Sequence, residues 1–197
     1  GGQVHSLPLK DGYSSSSIVD KIRKESQKDR QVGKGIIDDS IAQHLEVIEK
    51  LQDTQGVNIE QCADVIFQTF VSDKKVLLCG NGGSAADAQH IAAEFVGRFE
   101  AERRALPAIA LTTDTSALTA LANDYNAERI FSRQVEALGQ EGDCLIAIST
   151  SGNSPNIIAA VMAARNLGCK VIGLTGERGK KLASLCDHCV MVQSERT

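Results

Sequence analysis

The stretch Cys144-Leu145-Ile146-Ala147-Ile148-Ser149-Thr150-Ser151-Gly152-Asn153-Ser154-Pro155 decides the fold. Its first five residues are continuously apolar, which predicts a strand buried on both faces, as in a parallel sheet. Pro155 opens a helical pattern that runs to Leu167 and is closed by Gly168. A hydroxyl-rich loop therefore sits where a strand ends and a helix begins. In an open parallel sheet, ligands bind at that point. Serine and threonine hydroxyls, with backbone N–H groups at a helix start, suit a phosphate group. Ser154 can be explained as the helix cap, which leaves Ser149, Thr150 and Ser151 in need of another role. The loop carries no lysine, so it is not the P-loop of a nucleoside-triphosphate enzyme.

Strand and helix patterns alternate on both sides of this loop. Lys75–Cys79, Pro107–Leu111, Lys170–Leu174 and Cys189–Val192 read as further strands. Helical patterns cover the residues from the Gly80–Gly83 turn to about Phe99, then Ser116–Ala122, Ala127–Leu138 and Lys181–Leu185. The alternation implies an α/β fold, a flavodoxin-like, doubly wound, five-stranded parallel sheet, occupying residues 73–197. Two helices are expected before it, in residues 39–72. One carries the stripe Ile41, Leu45, Ile48 and Leu51, the other Ile59, Cys62, Ala63, Ile66, Phe67 and Phe70, with a turn at Asp53-Thr54-Gln55-Gly56 between them. Residues 1–38 hold a serine run and a charged stretch, and read as a flexible arm or linker, although Ile18, Val19 and Ile22 could start a short helix.

Composition sets the outer bounds. The 197 residues suffice for one domain with a real core, and the absence of tryptophan points to close-packed aliphatic side chains. A net charge of −4 argues against a nucleic-acid partner. No apolar run reaches the length of a membrane span and no signal peptide is visible, so a cytoplasmic protein is expected. The six cysteines lie mostly inside apolar runs, as reduced core thiols do. The chain begins Gly1-Gly2 without methionine, as a processing remnant does.

Other constellations bear on chemistry. Gly80-Asn81-Gly82-Gly83-Ser84 permits a tight turn and close approach of a ligand to the backbone. Ser84 and Asp87 have the spacing of a capping box, and the Asn81 amide could bond a sugar hydroxyl. The spacing is not that of a dinucleotide fingerprint. In the following helix, Ala88, Ile91, Ala92 and Phe95 form the face that should pack on the sheet. His90 and Glu94 are four residues apart on another face, so they could hold a metal, move a proton, or form an ordinary solvated pair. Asn123-Asp124, between two helices, reads as a turn and a cap. Cys186-Asp187-His188-Cys189 has the spacing of a zinc or redox pair, but no second pair matches it and Cys189 falls in a strand pattern, so it reads as structural.

Taken together, the stretches C-G-N-G-G-S-A-A-D-A-Q-H (79–90), A-L-T-T-D-T-S-A-L-T-A (110–120), A-N-D-Y (122–125), F-S-R-Q-V-E-A-L-G (131–139) and I-S-T-S-G-N-S-P-N (148–156) resemble the sugar isomerase (SIS) domain family. Within it they resemble the phosphoheptose isomerases, over roughly residues 40–197. The resemblance implies an aldose–ketose isomerase that converts D-sedoheptulose 7-phosphate to D-glycero-D-manno-heptose 7-phosphate through an enediol, the first step of ADP- or GDP-heptose biosynthesis. It implies that Ser149, Thr150, Ser151 and Ser154 bind the phosphate, and that Asn81, Gly82, Gly83, Asn123 and Asp124 contact the sugar. It makes Glu94 the catalytic acid–base and, with His90, a ligand of one zinc ion per subunit. It also implies a homotetramer with active sites between subunits, the 40–70 segment packing in the oligomer. In the family a further segment, R-I-Q-E-x-H and a long helix, carries a glutamine, a second acid–base histidine and further zinc ligands. This sequence stops before it at Ser194-Glu195-Arg196-Thr197, and a protein ending there is expected to isomerise poorly and hold zinc weakly. The alternative is a non-catalytic SIS protein, an adaptor of a replication initiator or a sugar-phosphate sensor. Retention of Glu94 and Ser151 favours the enzyme.

Overall fold

The computed structural model describes the backbone of residues 15–194, and the side chains of residues 19–25 and 34–194. Residues 1–14 of the expected arm, and residues 195–197, lie outside the described residues. The chain divides into two compact units, residues 1–46 and 47–197. In the first, the described residues from Ser15 onward are helical.

The helix α1 spans Ser15–Val71 without a break, so the turn expected at Asp53–Gly56 is helix instead. Thr54 Oγ1 donates to the Lys50 carbonyl one turn back at 2.7 Å, and Asn58 Nδ2 donates to Gln55 Oε1 at 3.0 Å. The Thr54 hydroxyl and Gln55 amide, read as part of a turn, thus bond within the helix, and Gln55 Oε1 also accepts from Met191 N at 3.1 Å. A lone glycine costs a helix only about 1 kcal/mol relative to alanine, which does not end it. The buried stripe is also narrower than expected. Cys62 and Phe70 are buried and Val65 and Ile66 half-buried, whereas Ile59 and Phe67 face outward.

The remaining elements follow the alternation. They are β1 (Val76–Gly80), α2 (Gly83–Val96), β2 (Ala108–Ala110), α3 (Thr115–Asp124), α4 (Arg129–Leu138), β3 (Cys144–Ser149), α5 (Pro155–Asn166), β4 (Lys170–Gly176), α6 (Lys180–Ala183) and β5 (His188–Val192). The five strands form one sheet in the order β2-β1-β3-β4-β5, parallel at every pairing. This is the expected doubly wound α/β sheet preceded by helix.

Alternation along each strand supplies two cores. Leu77, Cys79, Leu145, Ala147 and Val171 face one side, where they meet Phe131 and Val135 of α4 and Ile157, Ala160, Val161 and Ala164 of α5. Val76, Leu78, Cys144, Ile146 and Ile172 face the other, where they meet Cys62 and Phe70 of α1 and Ala88 and Ala92 of α2. The α2 face is the expected one, and Phe95 completes it with an edge-on contact to Phe70 at 5.2 Å between ring centroids. At the amino end of the central strands, buried Asp143 accepts from Lys75 N at 3.0 Å, Gln140 N at 2.8 Å and Lys75 Nζ at 2.6 Å. One carboxylate thereby fastens the starts of β1 and β3.

Candidate active site at the strand carboxyl ends

The chain reverses its direction of winding between β1 and β3, which pair from Val76↔Cys144 to Gly80↔Ile148. The loops leaving these two strands diverge to opposite faces of the sheet and open a crevice between them. The glycine turn and the serine loop are those two loops. Their residues line a cavity of about 280 Å³ that includes Asn81, Ser149, Thr150, Ser151 and Ser154.

Local chemistry holds each loop in place. Gly80 has no room for a side chain, since a Cβ there would run into the Ser84 backbone. Gly82 takes φ +56° and becomes the N-cap of α2, with Gly83 as its first residue. No side chain caps α2, so the expected Ser84–Asp87 capping box does not form, and Ser84 lines the cavity instead. The serine loop turns at Gly152, φ +61°, where a Cβ would collide with the Gly179 backbone. Thr175 Oγ1 donates to the Ser149 carbonyl at 2.7 Å, and Gly176 N to the Thr150 carbonyl at 3.0 Å. The loop is thus pinned to the end of β4.

Ser154 is the N-cap residue of α5, yet its hydroxyl makes no capping bond. It lies 3.2 Å from the Ser149 hydroxyl. The capping explanation for Ser154 therefore falls away, and its hydroxyl joins Ser149 on the cavity wall. Asn81 and Asn156 exchange amide bonds, Asn156 Nδ2 to Asn81 Oδ1 at 2.8 Å and Asn81 Nδ2 to Asn156 Oδ1 at 3.0 Å. This reciprocal pair ties the glycine turn to the start of α5, so the two loops form one wall.

Sequence reading missed Arg178 and Glu177, which also line the cavity from the loop after β4. Arg178 brings a cation to a cradle that the sequence presented as hydroxyls alone. Its signal was its place just beyond a strand's carboxyl end. That signal becomes usable only once β4 is known to lie beside β3.

The other expected residues lie elsewhere. His90 Nε2 is 3.5 Å from Glu94 Oε1, so the i,i+4 pair forms on α2. Both line a separate concavity of about 480 Å³, with Phe95, Phe99 and Arg103. The Glu94 side chain is 37 % exposed, so these residues of one chain leave it partly open to water. Arg103 ends α2 below it, donating from Nη2 to the Glu94 carbonyl at 2.6 Å and from Nη1 to the Phe95 and Gly97 carbonyls at 2.8 and 3.2 Å. Among the described residues no third His, Cys, Asp or Glu joins His90 and Glu94 in a metal-sized group. Zinc takes three or four protein ligands, so the pair alone does not make a centre for it. Asn123 and Asp124, expected as a turn, are the last residues of α3. They bond to each other, Nδ2 to Oδ1 at 2.9 Å, and are exposed. Among the described residues no helix is long and apolar enough to cross a membrane.

Comparison with known proteins shows the family. The SIS domain family matches residues 41–176. A phosphoheptose isomerase of Aliarcobacter butzleri is 57 % identical over 154 residues, covering 78 % of this chain and 82 % of the relative. One of Nitratiruptor sp. is 51 % identical, covering 82 % of this chain and 86 % of that protein. The solved phosphoheptose isomerase of Neisseria gonorrhoeae superposes with a TM-score of 0.78 at 44 % identity, covering 83 % of this chain and 88 % of its own. The chain therefore belongs to the SIS domain family, and within it to the phosphoheptose isomerases, a branch of sugar-phosphate isomerase enzymes.

Proposed function

We propose that this chain interconverts D-sedoheptulose 7-phosphate and D-glycero-D-manno-heptose 7-phosphate, at the entry to ADP- or GDP-heptose synthesis. The observation that carries the reading is the meeting of Asn81, the four hydroxyls of Ser149, Thr150, Ser151 and Ser154, and Arg178 around one cavity at the β1/β3 switch point. Hydroxyl donors and a guanidinium suit a phosphate dianion, and charge-assisted bonds of this kind are worth about 1.5–3 kcal/mol each. A phosphate held there is remote from the reacting carbons. Its binding energy fixes the sugar against the catalytic group.

Aldose–ketose isomerisation needs a base that takes the proton from C1 of the ketose and returns it to C2, while a proton passes between O1 and O2. Glu94 is assigned the carbon-to-carbon transfer; it lines a concavity separate from the hydroxyl cavity, so the reading has it act at a site shared between subunits, on a sugar phosphate held by a second copy. Its carboxylate stands on the helix that begins at the glycine turn, and Arg103 fixes the carbonyl at the base of that residue. Asn81, Gly82, Gly83, Asn123 and Asp124 are assigned to the sugar hydroxyls. No step is routed through zinc. An ion on His90 and Glu94 needs further ligands from outside the described residues of one chain, and metal analysis of wild type against His90→Ala tests for it.

The reading also takes the protein as cytoplasmic and self-associating, as a tetramer. Ile41, Leu45, Ile48 and Phe67 on α1 are exposed apolar residues of the sort a second copy would cover. The test of function is incubation of the full protein with sedoheptulose 7-phosphate, with detection of the aldose. Conversion supports the isomerase. Binding of the sugar phosphate without conversion favours the sensor reading, and neither favours the adaptor.

A further inference from the structure

Cys186 follows α6, and Cys189 is the second residue of β5, paired in register with Gly173 of β4. Gly173 is a buried residue in the middle of its strand. A Cβ placed on it would stand 2.8 Å from Cys186 Sγ and 2.9 Å from Cys189 Sγ. Both sulfurs therefore crowd the space that a side chain would fill, one from the preceding loop and one from the neighbouring strand. Glycine inside a strand is disfavoured relative to alanine, and the two sulfurs give the physical reason for it at this position.

The pair differs from the other thiols. Burial pushes Cys79 and Cys144 up to about 12, and it also raises Cys62 and Cys169. Cys186 and Cys189 are only half-buried. The two thiols interact with each other, which pushes Cys186 above the ordinary thiol range and Cys189 below it. Thiolate is the attacking species in exchange, so one thiol of the pair attacks and the other resolves.

We propose that Cys186 and Cys189 form a redox-active dithiol that exchanges with low-molecular-weight disulfides and closes to an intramolecular disulfide. The thiolate of one of the two attacks one sulfur of the small disulfide, forming a mixed disulfide and releasing one small thiolate. The other gives up its proton, attacks the protein sulfur of the mixed disulfide and expels the second small thiolate. The protein loses two hydrogens and the small disulfide becomes two thiols. The pair sits at the amino end of β5, whereas the sugar-phosphate cavity lies at the strand carboxyl ends. The proposal therefore stands independently of the isomerase reading.

The test is incubation of the reduced full protein with oxidised glutathione, an acid quench, thiol titration, and mass analysis of intact protein and peptides. The expected result is a loss of two of the six thiols, the mass of two hydrogens and no retained glutathione, with the link mapped to Cys186 and Cys189. Cys186→Ser should instead trap one glutathione on Cys189. Six surviving thiols, stable glutathione adducts on the wild type, or a link from Cys189 to Cys62 would each overturn the proposal.

Discussion

Replacing Gly152 with alanine alters the shape of the serine loop without removing any hydroxyl from it. Two effects add. Gly152 sits at φ +61°, a conformation that costs an L-residue with a Cβ about 1–2 kcal/mol. The new methyl also meets the Gly179 backbone, and Gly179 cannot retreat because its own Cβ position is filled by the Thr175 side chain. Overpacking of this kind typically costs about 1–3 kcal/mol. The total is about 2–5 kcal/mol, a large part of a domain's usual margin of about 5–15 kcal/mol. If the loop shifts to relieve the clash, Ser151 and Ser154 leave their places on the cavity wall. Loss of one hydrogen bond to a charged group, about 1.5–3 kcal/mol, then raises KM roughly tenfold to a hundredfold with a smaller change in kcat. Urea denaturation reads the first effect, and steady-state kinetics with a sugar phosphate reads the second. A wild-type unfolding midpoint together with a wild-type KM would refute the packing argument and the assigned role of the loop.

Gly56→Ala should stabilise the protein by about 1 kcal/mol in a denaturant titration, because Gly56 is inside α1 and an added Cβ meets nothing within 4 Å. A turn at that position would make the same change neutral or harmful. Asp143→Ala removes the shared acceptor of Lys75 N, Lys75 Nζ and Gln140 N and should lower stability by about 3–5 kcal/mol. A loss below about 1 kcal/mol by urea unfolding would contradict that account. Arg103→Met removes the Arg103 bonds to the Glu94, Phe95 and Gly97 carbonyls, leaving Phe95 O with Leu106 N alone, and should lower kcat more than it raises KM, with Arg103→Lys recovering part of the loss. Equal effects of methionine and lysine would assign Arg103 to packing alone.

The sheet was legible because apolar runs such as Val76–Cys79 and Cys144–Ile148 are buried on both faces and are punctuated by glycine and hydroxyl turns. The switch-point loops were legible for the same reason, since topology fixes what a strand's carboxyl end can do. Side-chain hydrogen bonding was not. Ser84, Asp87, Thr54 and Ser154 all have residue types that cap or turn, but each has more than one partner within reach, and sequence does not rank them. Thr54 bonds back into its helix and Ser154 faces Ser149. Arg178 was hidden because its place depends on strand order, a long-range property. The extent of α1 was hidden because a single glycine marks a turn only when no helix is already propagating through it.

In the proposed reaction Glu94 moves the proton while the serine loop holds the phosphate. The most direct test compares Glu94→Gln with wild type on sedoheptulose 7-phosphate, measuring kcat and substrate binding separately. General acid–base catalysis contributes about a hundredfold to ten-thousandfold, so kcat should fall by that factor while binding of the sugar phosphate changes little. Unchanged turnover in Glu94→Gln would contradict the account, as would a loss confined to binding.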